Sequence, residues 1–200
     1  MNLNPVILMV GLEGAGKTKI LYTLKLEHIE DNEYRTIKFQ PTIAFNFEIV
    51  PYDYHDVKFQ LKMWDLSGNP HVRSMWRYYY ETTPPDALIF VIGSDFGKEK
   101  LDESREAFQQ LLHDRALANT IKVVLYNIRD ETDSTDSPLE TFQERVKTAL
   151  GLNDYSSSSV EQKVGIFPVR LGKALREDRS LYFAMDRVCE EYLRKRKLKI

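Results

Sequence analysis

Apolar residues fall along this chain in short runs. Residues 6–10 read Val-Ile-Leu-Met-Val, and residues 87–92 form a second unbroken run. Runs of this length predict strands buried on both faces, as in a parallel sheet. Residues 121–126 and 164–169 read as two more strands. The middle of the chain follows another pattern. Phe45, Phe47 and Ile49 alternate with Asn46 and Glu48, and Val57, Phe59, Leu61 and Met63 alternate with Lys58, Gln60 and Lys62. Period two predicts a pair of strands, each turning its apolar side to the core. The turn-rich stretch 51–56 between them, Pro-Tyr-Asp-Tyr-His-Asp, predicts a hairpin.

Helical spacing covers most of what remains. Ile20, Leu21 and Leu24 share a face over 17–27, an aromatic-rich helix is predicted over 70–80, and Leu101, Phe108, Leu111 and Leu112 mark one over 98–113. Pro138 and Gly151 bracket a further helix, proline at the start and glycine past the end, and a terminal helix covers 181–196. Residues 28–40 and 130–137 are polar loops, and the serine-rich 153–162 reads as a mobile surface loop. Six strands alternating with helices predict an α/β fold: a mostly parallel six-stranded sheet with helices on both faces and the hairpin as an antiparallel edge. With no repeat and no linker, residues 1–200 are expected to form one domain.

Chemistry enters at the first strand's end. Gly11-Leu12-Glu13-Gly14-Ala15-Gly16-Lys17-Thr18 fits G-x-x-x-x-G-K-[ST], with a predicted strand before it and a helix after it. The glycines permit a tight turn and close approach of an anion. The loop amides from Glu13 to Thr18 and the helix N-terminus point at the same phosphates. Lys17 adds a point charge, and the Thr18 hydroxyl is a hard ligand for Mg²⁺. Such a loop alone leaves kinases, ATPases and GTPases open. Asp65 at a strand end can hold Mg²⁺ through water, the Gly68 amide can approach a γ-phosphate, and Thr42 can offer a second hydroxyl. Asn127 and Asp130 lie just past another strand's end, where open α/β sheets bind ligands. A carboxylate there can accept two hydrogen bonds from guanine.

Composition removes other classes. The formal net charge is −2, from 28 Lys+Arg against 30 Asp+Glu, which does not suit nucleic acid. The single cysteine, Cys189, excludes an internal disulfide, suits a reducing cytosol and is expected to face the core. No run is long enough to span a membrane. Asn2 in place of glycine predicts no N-myristoylation, so a cytoplasmic protein is expected. The basic end at 194–197 can add at most weak contact with an anionic membrane. The four histidines lack metal-ligand spacing and read as surface residues.

In order, these pieces resemble the Arf and Arf-like branch of the small GTPases. The matching words are Gly11 to Thr18, Leu21-Tyr-Thr-Leu-Lys-Leu26, Pro41-Thr-Ile-Ala-Phe-Asn46, Trp64-Asp-Leu-Ser-Gly68 and Met75-Trp-Arg-Tyr-Tyr79. The resemblance implies a P-loop NTPase fold and a GTP/GDP-dependent switch, used in trafficking or in cilium- and cytoskeleton-related signalling. It implies Gly14, Gly16, Lys17 and Thr18 on the phosphates and Mg²⁺, Thr42 as switch I, and Asp65 and Gly68 as the start of switch II. The hairpin between the switches would shift register between nucleotide states. Effectors would dock on Phe45, Trp64 and Tyr79, with an exchange factor and a GTPase-activating protein as further partners of a monomer.

The departures from that pattern shape further expectations. Asn69 stands where the family has its water-orienting glutamine, one methylene shorter and followed by Pro70, so slow hydrolysis is expected. A non-cycling nucleotide-bound scaffold is the rival, and a small-metabolite kinase a more distant one. Ser67 replaces a glycine, which strains the backbone if that position needs positive φ. The base motif carries Ile128 and Arg129 between Asn127 and Asp130, so its usual lysine and that lysine's tie to the phosphate loop are expected to be lost. Leu171-Gly-Lys-Ala174 is the best placement of the last base-contacting motif, with Lys173 as a substitute stem. The chain starts at its first strand, so the family's amphipathic N-terminal helix is not expected. The stretches 28–40 and 51–56 lengthen switch I and the hairpin turn.

Overall fold

The computed structural model describes residues 2–26, 39–129, 139–152, 164–171 and 179–198, without side-chain placement at residue 2 and at 139–142. Its strands are β1 (Asn2–Leu3), β2 (Val6–Val10), β3 (Phe45–Tyr54), β4 (Val57–Leu66), β5 (Ala87–Gly93), β6 (Ile121–Ile128) and β7 (Val164–Arg170). The helices are α1 (Lys17–Lys25), α2 (Met75–Thr82), α3 (Lys98–His113), α4 (Leu139–Leu150) and α5 (Ser180–Lys195). β1 and β2 pair with β4 in one register, Leu3 opposite Phe59 and Val6 opposite Lys62, so they act as one strand interrupted at Asn4 and Pro5. The sheet therefore runs β3–β4–(β1, β2)–β5–β6–β7, six strands wide, with only β3 antiparallel.

Every residue of β5 is buried, as its unbroken apolar run requires. Helices cover both faces. Tyr22 and Lys25 of α1 bond Glu48 on one side of β3, and Tyr52 on that side donates to Asp186 of α5 at 2.7 Å. Tyr79 of α2 meets Phe45 and Trp64 on the other side. There too, Phe108 of α3 packs edge-on against Phe90 of β5, and Arg105 and Gln109 bond the last carbonyls of α4.

Three expectations need correction. The stretch 51–54 is strand, not turn: β3 and β4 pair from Phe45–Leu66 to Tyr54–Val57, and only His55 and Asp56 make the turn. Pro51 is tolerated because β3 is an edge strand. The apolar side of β3 also changes parity. Phe45, Phe47 and Ile49 point away from the core and are 40–47% exposed, while Val50 and Tyr52 are buried. The inward positions Asn46 and Glu48 are instead occupied by bonds to Asp65, Tyr22 and Lys25. Finally, α2 begins at Met75; residues 70–74 form turns first. The loops at 130–137 and 153–162, and most of 28–40, lie outside the described residues.

Candidate functional site

The C-terminal ends of the parallel strands β2, β4, β5 and β6 lie along one edge of the sheet, the position at which parallel sheets present ligand sites. β2 delivers the loop 11–16. Gly16 caps α1 with φ 97°, and a Cβ there would meet Asn127 Nδ2 at 2.2 Å, so no other residue fits. Lys17 folds back under the loop, its Nζ donating to the carbonyls of Gly11 at 2.9 Å and Leu12 at 3.1 Å. Burial pushes its pKa down to about 8, against the opposing pull of Asp65 and Glu13. A buried cation so penalised is poised to gain from an anion.

Next to Lys17, oxygen ligands converge. The Thr18 hydroxyl donates to Asp65 Oδ2 at 2.6 Å and lies 2.9 Å from the Thr42 hydroxyl. Asn46 donates to Asp65 Oδ2 at 3.0 Å and to Thr42 Oγ1 at 3.3 Å. Asp65 is fully buried, and its Oδ1 has no partner. An orphaned buried carboxylate oxygen beside two hydroxyls fits a hard, oxygen-seeking cation such as Mg²⁺. Among the described residues no group of three or more His, Cys, Asp or Glu could hold a metal, so hydroxyls are essential to this donor set. Asn46 gained no role from the sequence. Its signal is register: Asn46 sits opposite Asp65 in the ladder, which is hidden as long as 51–56 is read as a turn.

β4 runs on into Ser67, Gly68 and Asn69. A Cβ on Gly68 would lie 2.3 Å from the Gly11 carbonyl and 2.4 Å from the Glu13 amide, and that amide donates to the Gly68 carbonyl at 3.1 Å. The start of this segment is thus laid directly on the phosphate loop. The expected strain at Ser67 is absent: its φ is not positive, because positive φ among the described non-glycine residues occurs only at His55 and Lys197. Ser67 is instead held by Trp76 Nε1, which donates to its carbonyl at 2.8 Å. Both ends of the Asn69 amide are occupied. Its Oδ1 accepts from the His71 amide at 3.0 Å, and its Nδ2 lies 3.4 Å from Glu13 Oε2. The Asn69 carbonyl accepts from Val72 and Arg73 as well, so this residue starts the turns that lead to α2.

On the far side of the loop, Asn127 lies within β6 rather than past its end. Its Nδ2 donates to the Ala15 carbonyl at 2.9 Å, and its Oδ1 is buried without a partner. The expected loss of a cationic tie to the phosphate loop is also corrected, since Arg129 Nη2 donates to the Gly14 carbonyl. Lys19 of α1 donates to the Leu171 carbonyl at 2.9 Å and joins the loop's helix to the end of β7. Asp130 and residues 172–174, including Lys173, lie outside the described residues.

Phe45, Trp64 and Tyr79 form one aromatic cluster, with ring centroids 5.1, 5.5 and 6.1 Å apart. Phe47 extends it at 4.8 Å from Trp64. No described helix is long and apolar enough to cross a membrane.

Comparison with known proteins agrees with this geometry. A solved structure of the Arl6 (BBS3) small GTPase from Trypanosoma brucei, with the nucleotide analogue GppNp bound, superposes with a TM-score of 0.67 at 19% identity, covering 97% of this chain and 99% of that one. The likeness at that identity is one of fold, the small-GTPase fold. The family model of the ADP-ribosylation factor family matches residues 2–182. Strand, phosphate loop, hairpin and Trp-Asp pair thus stand in a recognised order, and the chain belongs to the ADP-ribosylation factor family.

Proposed function

We propose that this chain is a guanine-nucleotide-dependent switch with slow intrinsic hydrolysis. The observation that carries the reading is the meeting of Thr18, Thr42 and Asp65, with its orphaned Oδ1, beside the Lys17 loop. Three separate segments converge there, so one ligand can report to all of them.

In this reading Gly11, Glu13, Gly14, Ala15 and Gly16 line the phosphates with backbone, and Lys17 neutralises them. Thr18, Thr42 and Asp65 would hold Mg²⁺. When bound, Mg²⁺ neutralises phosphate charge and orients the terminal phosphate. Thr42 and Gly68 close on a triphosphate and are released after hydrolysis. Asn127 and Asp130 select guanine. Hydrolysis is slow because the Asn69 amide is a methylene short of a glutamine's reach and is drawn to the His71 backbone and to Glu13. Phe45, Trp64 and Tyr79 offer the aromatic surface on which effectors dock. An exchange factor and a GTPase-activating protein complete the cycle of a monomer, and residues 194–197 add weak contact with anionic membrane.

The test is direct. Purified chain is titrated with fluorescent GDP, GTP and ATP, with and without Mg²⁺. Tight binding of the guanine nucleotides, weakened by chelator and not matched by ATP, is expected. No measurable affinity for any purine nucleotide in the presence of Mg²⁺ overturns the reading.

A further inference from the structure

Ile128 occupies the place of the base-motif lysine, and its side chain is buried. An isoleucine cannot bond a carbonyl. The Gly14 carbonyl is nonetheless held, by Arg129 one residue further on. The same guanidinium donates through Nη1 to Asp95 Oδ2 at 3.0 Å, and the Arg129 amide donates to Ser94 Oγ at 3.0 Å. Asn127 holds the neighbouring Ala15 carbonyl. Two consecutive carbonyls of the phosphate loop are therefore gripped from the end of β6, and the gripping arginine is itself tied to the loop after β5.

We propose that Arg129, oriented by Asp95, is a positioning residue that takes over the work of the missing lysine and slows release of bound nucleotide. The inference rests on the switch reading, because the site is the same. Its physical basis lies at Gly14. That residue has φ 83° and no Cβ, and the peptide after it is held at its amide end by the Leu12 carbonyl, 3.2 Å from the Ala15 amide, and at its carbonyl end by Arg129. A charge-assisted bond to its carbonyl fixes the peptide, and with it the direction in which the following amides point. Asp95 and Arg129 are each more than a third exposed, 41% and 35%, so the ion pair adds little to stability. Its effect is on direction: a guanidinium bonded at one nitrogen to Asp95 presents another to Gly14. The arrangement also explains how Ile128 is tolerated, since the charge has moved along the chain while its target has stayed.

The experiment uses the full chain and three substitutions, Arg129→Ala, Arg129→Lys and Asp95→Asn. Release of fluorescent GDP into excess unlabelled GDP is followed in Mg²⁺, and amide hydrogen exchange over residues 12–18 is followed without added nucleotide. Losing one charge-assisted bond should speed release about ten-fold in Arg129→Ala, with Asp95→Asn between it and the natural chain. Arg129→Lys can still donate to the Gly14 carbonyl and should recover most of the slow release. Exchange over 12–18 should rise in Arg129→Ala while the thermal midpoint stays put. Release within two-fold of the natural chain in Arg129→Ala, or no recovery in Arg129→Lys, overturns the proposal. If the natural chain binds no nucleotide, the switch reading fails, and loop exchange decides alone: faster exchange in Arg129→Ala supports the positioning role and unchanged exchange overturns it.

Discussion

Replacing Asn69 separates two roles that one side chain can play. If it orients water, Asn69→Ala abolishes hydrolysis; if it only starts the turns at 70–74, hydrolysis hardly moves. With its Oδ1 on the His71 amide, the second outcome is expected. Single-turnover GTP hydrolysis should stay within about two-fold, while unfolding stability drops by about 1 kcal/mol from loss of a cap-like bond. Asn69→Gln, with the longer stem, should speed the same reaction. Gly68 gives a second test at this scale. A Cβ there would press on the Gly11 carbonyl at 2.3 Å. Because that atom is backbone, the segment 67–69 must lift, and overpacking of this kind costs about 1–3 kcal/mol. Gly68→Ala should therefore lose GTP affinity by about ten-fold or more while GDP affinity changes little. Equilibrium titration with both nucleotides checks it. Gly11, Gly16 and Lys17 were legible from spacing alone, because a tight turn open to an anion and a cation beside it need those residue types at that spacing. Arg129 was not, since it stands one place past the motif's lysine and its target is a carbonyl far away in the chain.

Among the elements, α5 shows how burial sets chemistry. Cys189 lies on its inner face and is fully buried. Burial pushes its thiol up to about 12 from an ordinary 9.0, with Asp186 adding to the rise. The folded chain keeps the proton while the unfolded chain loses it near pH 9. This contribution to stability is thus complete below pH 9 and is lost as pH rises from 9 towards 12. Denaturant melts at pH 7.5, 9 and 10 should show the fall, and Cys189→Ala should flatten that part of the profile. In the native state Cys189 should react with a thiol reagent only as fast as the chain unfolds. The reading of a terminal helix over 181–196 with Cys189 facing the core matches α5; the reading of β3 fared less well. There alternation correctly marked a strand but not which side is inside. Alternation is a relative signal: it says that two faces differ and leaves their assignment to the neighbours. Here α2 leaves Phe45 and Phe47 half-exposed, and α1 supplies polar partners to the inward Glu48.

At the scale of the whole molecule, the hairpin is pinned at both ends. Thr18 of α1 donates to Asp65 at one end, and Tyr52 ties the far half to α5 through Asp186 and the Tyr182 carbonyl at 3.1 Å. Tyr52→Phe removes the second tie and should cost about 1 kcal/mol. In a chain of 200 residues that lowers the thermal midpoint by about 2–4 °C. Thr42 and Gly68 already stand on the phosphate loop in this structure, so if the hairpin shifts register with nucleotide state, the Tyr52 tie belongs to the triphosphate-like arrangement, and the substitution should favour the diphosphate form. The ratio of GTP to GDP affinity in Tyr52→Phe reads that out.

The amino-acid sequence by itself determined the order of strands and helices, the phosphate loop and the family. Those rest on local features: apolar runs, period two, and glycines at set spacing beside Lys17 and Thr18. Only the tertiary structure decided which side of β3 faces inward, that Asn46 joins Thr42 and Asp65, that the Asn69 amide meets Glu13, and that Arg129 reaches Gly14. Each of these is a meeting of groups distant along the chain or a choice between equivalent faces. Local chemistry sets what a residue is able to bond; packing alone sets what lies within its reach.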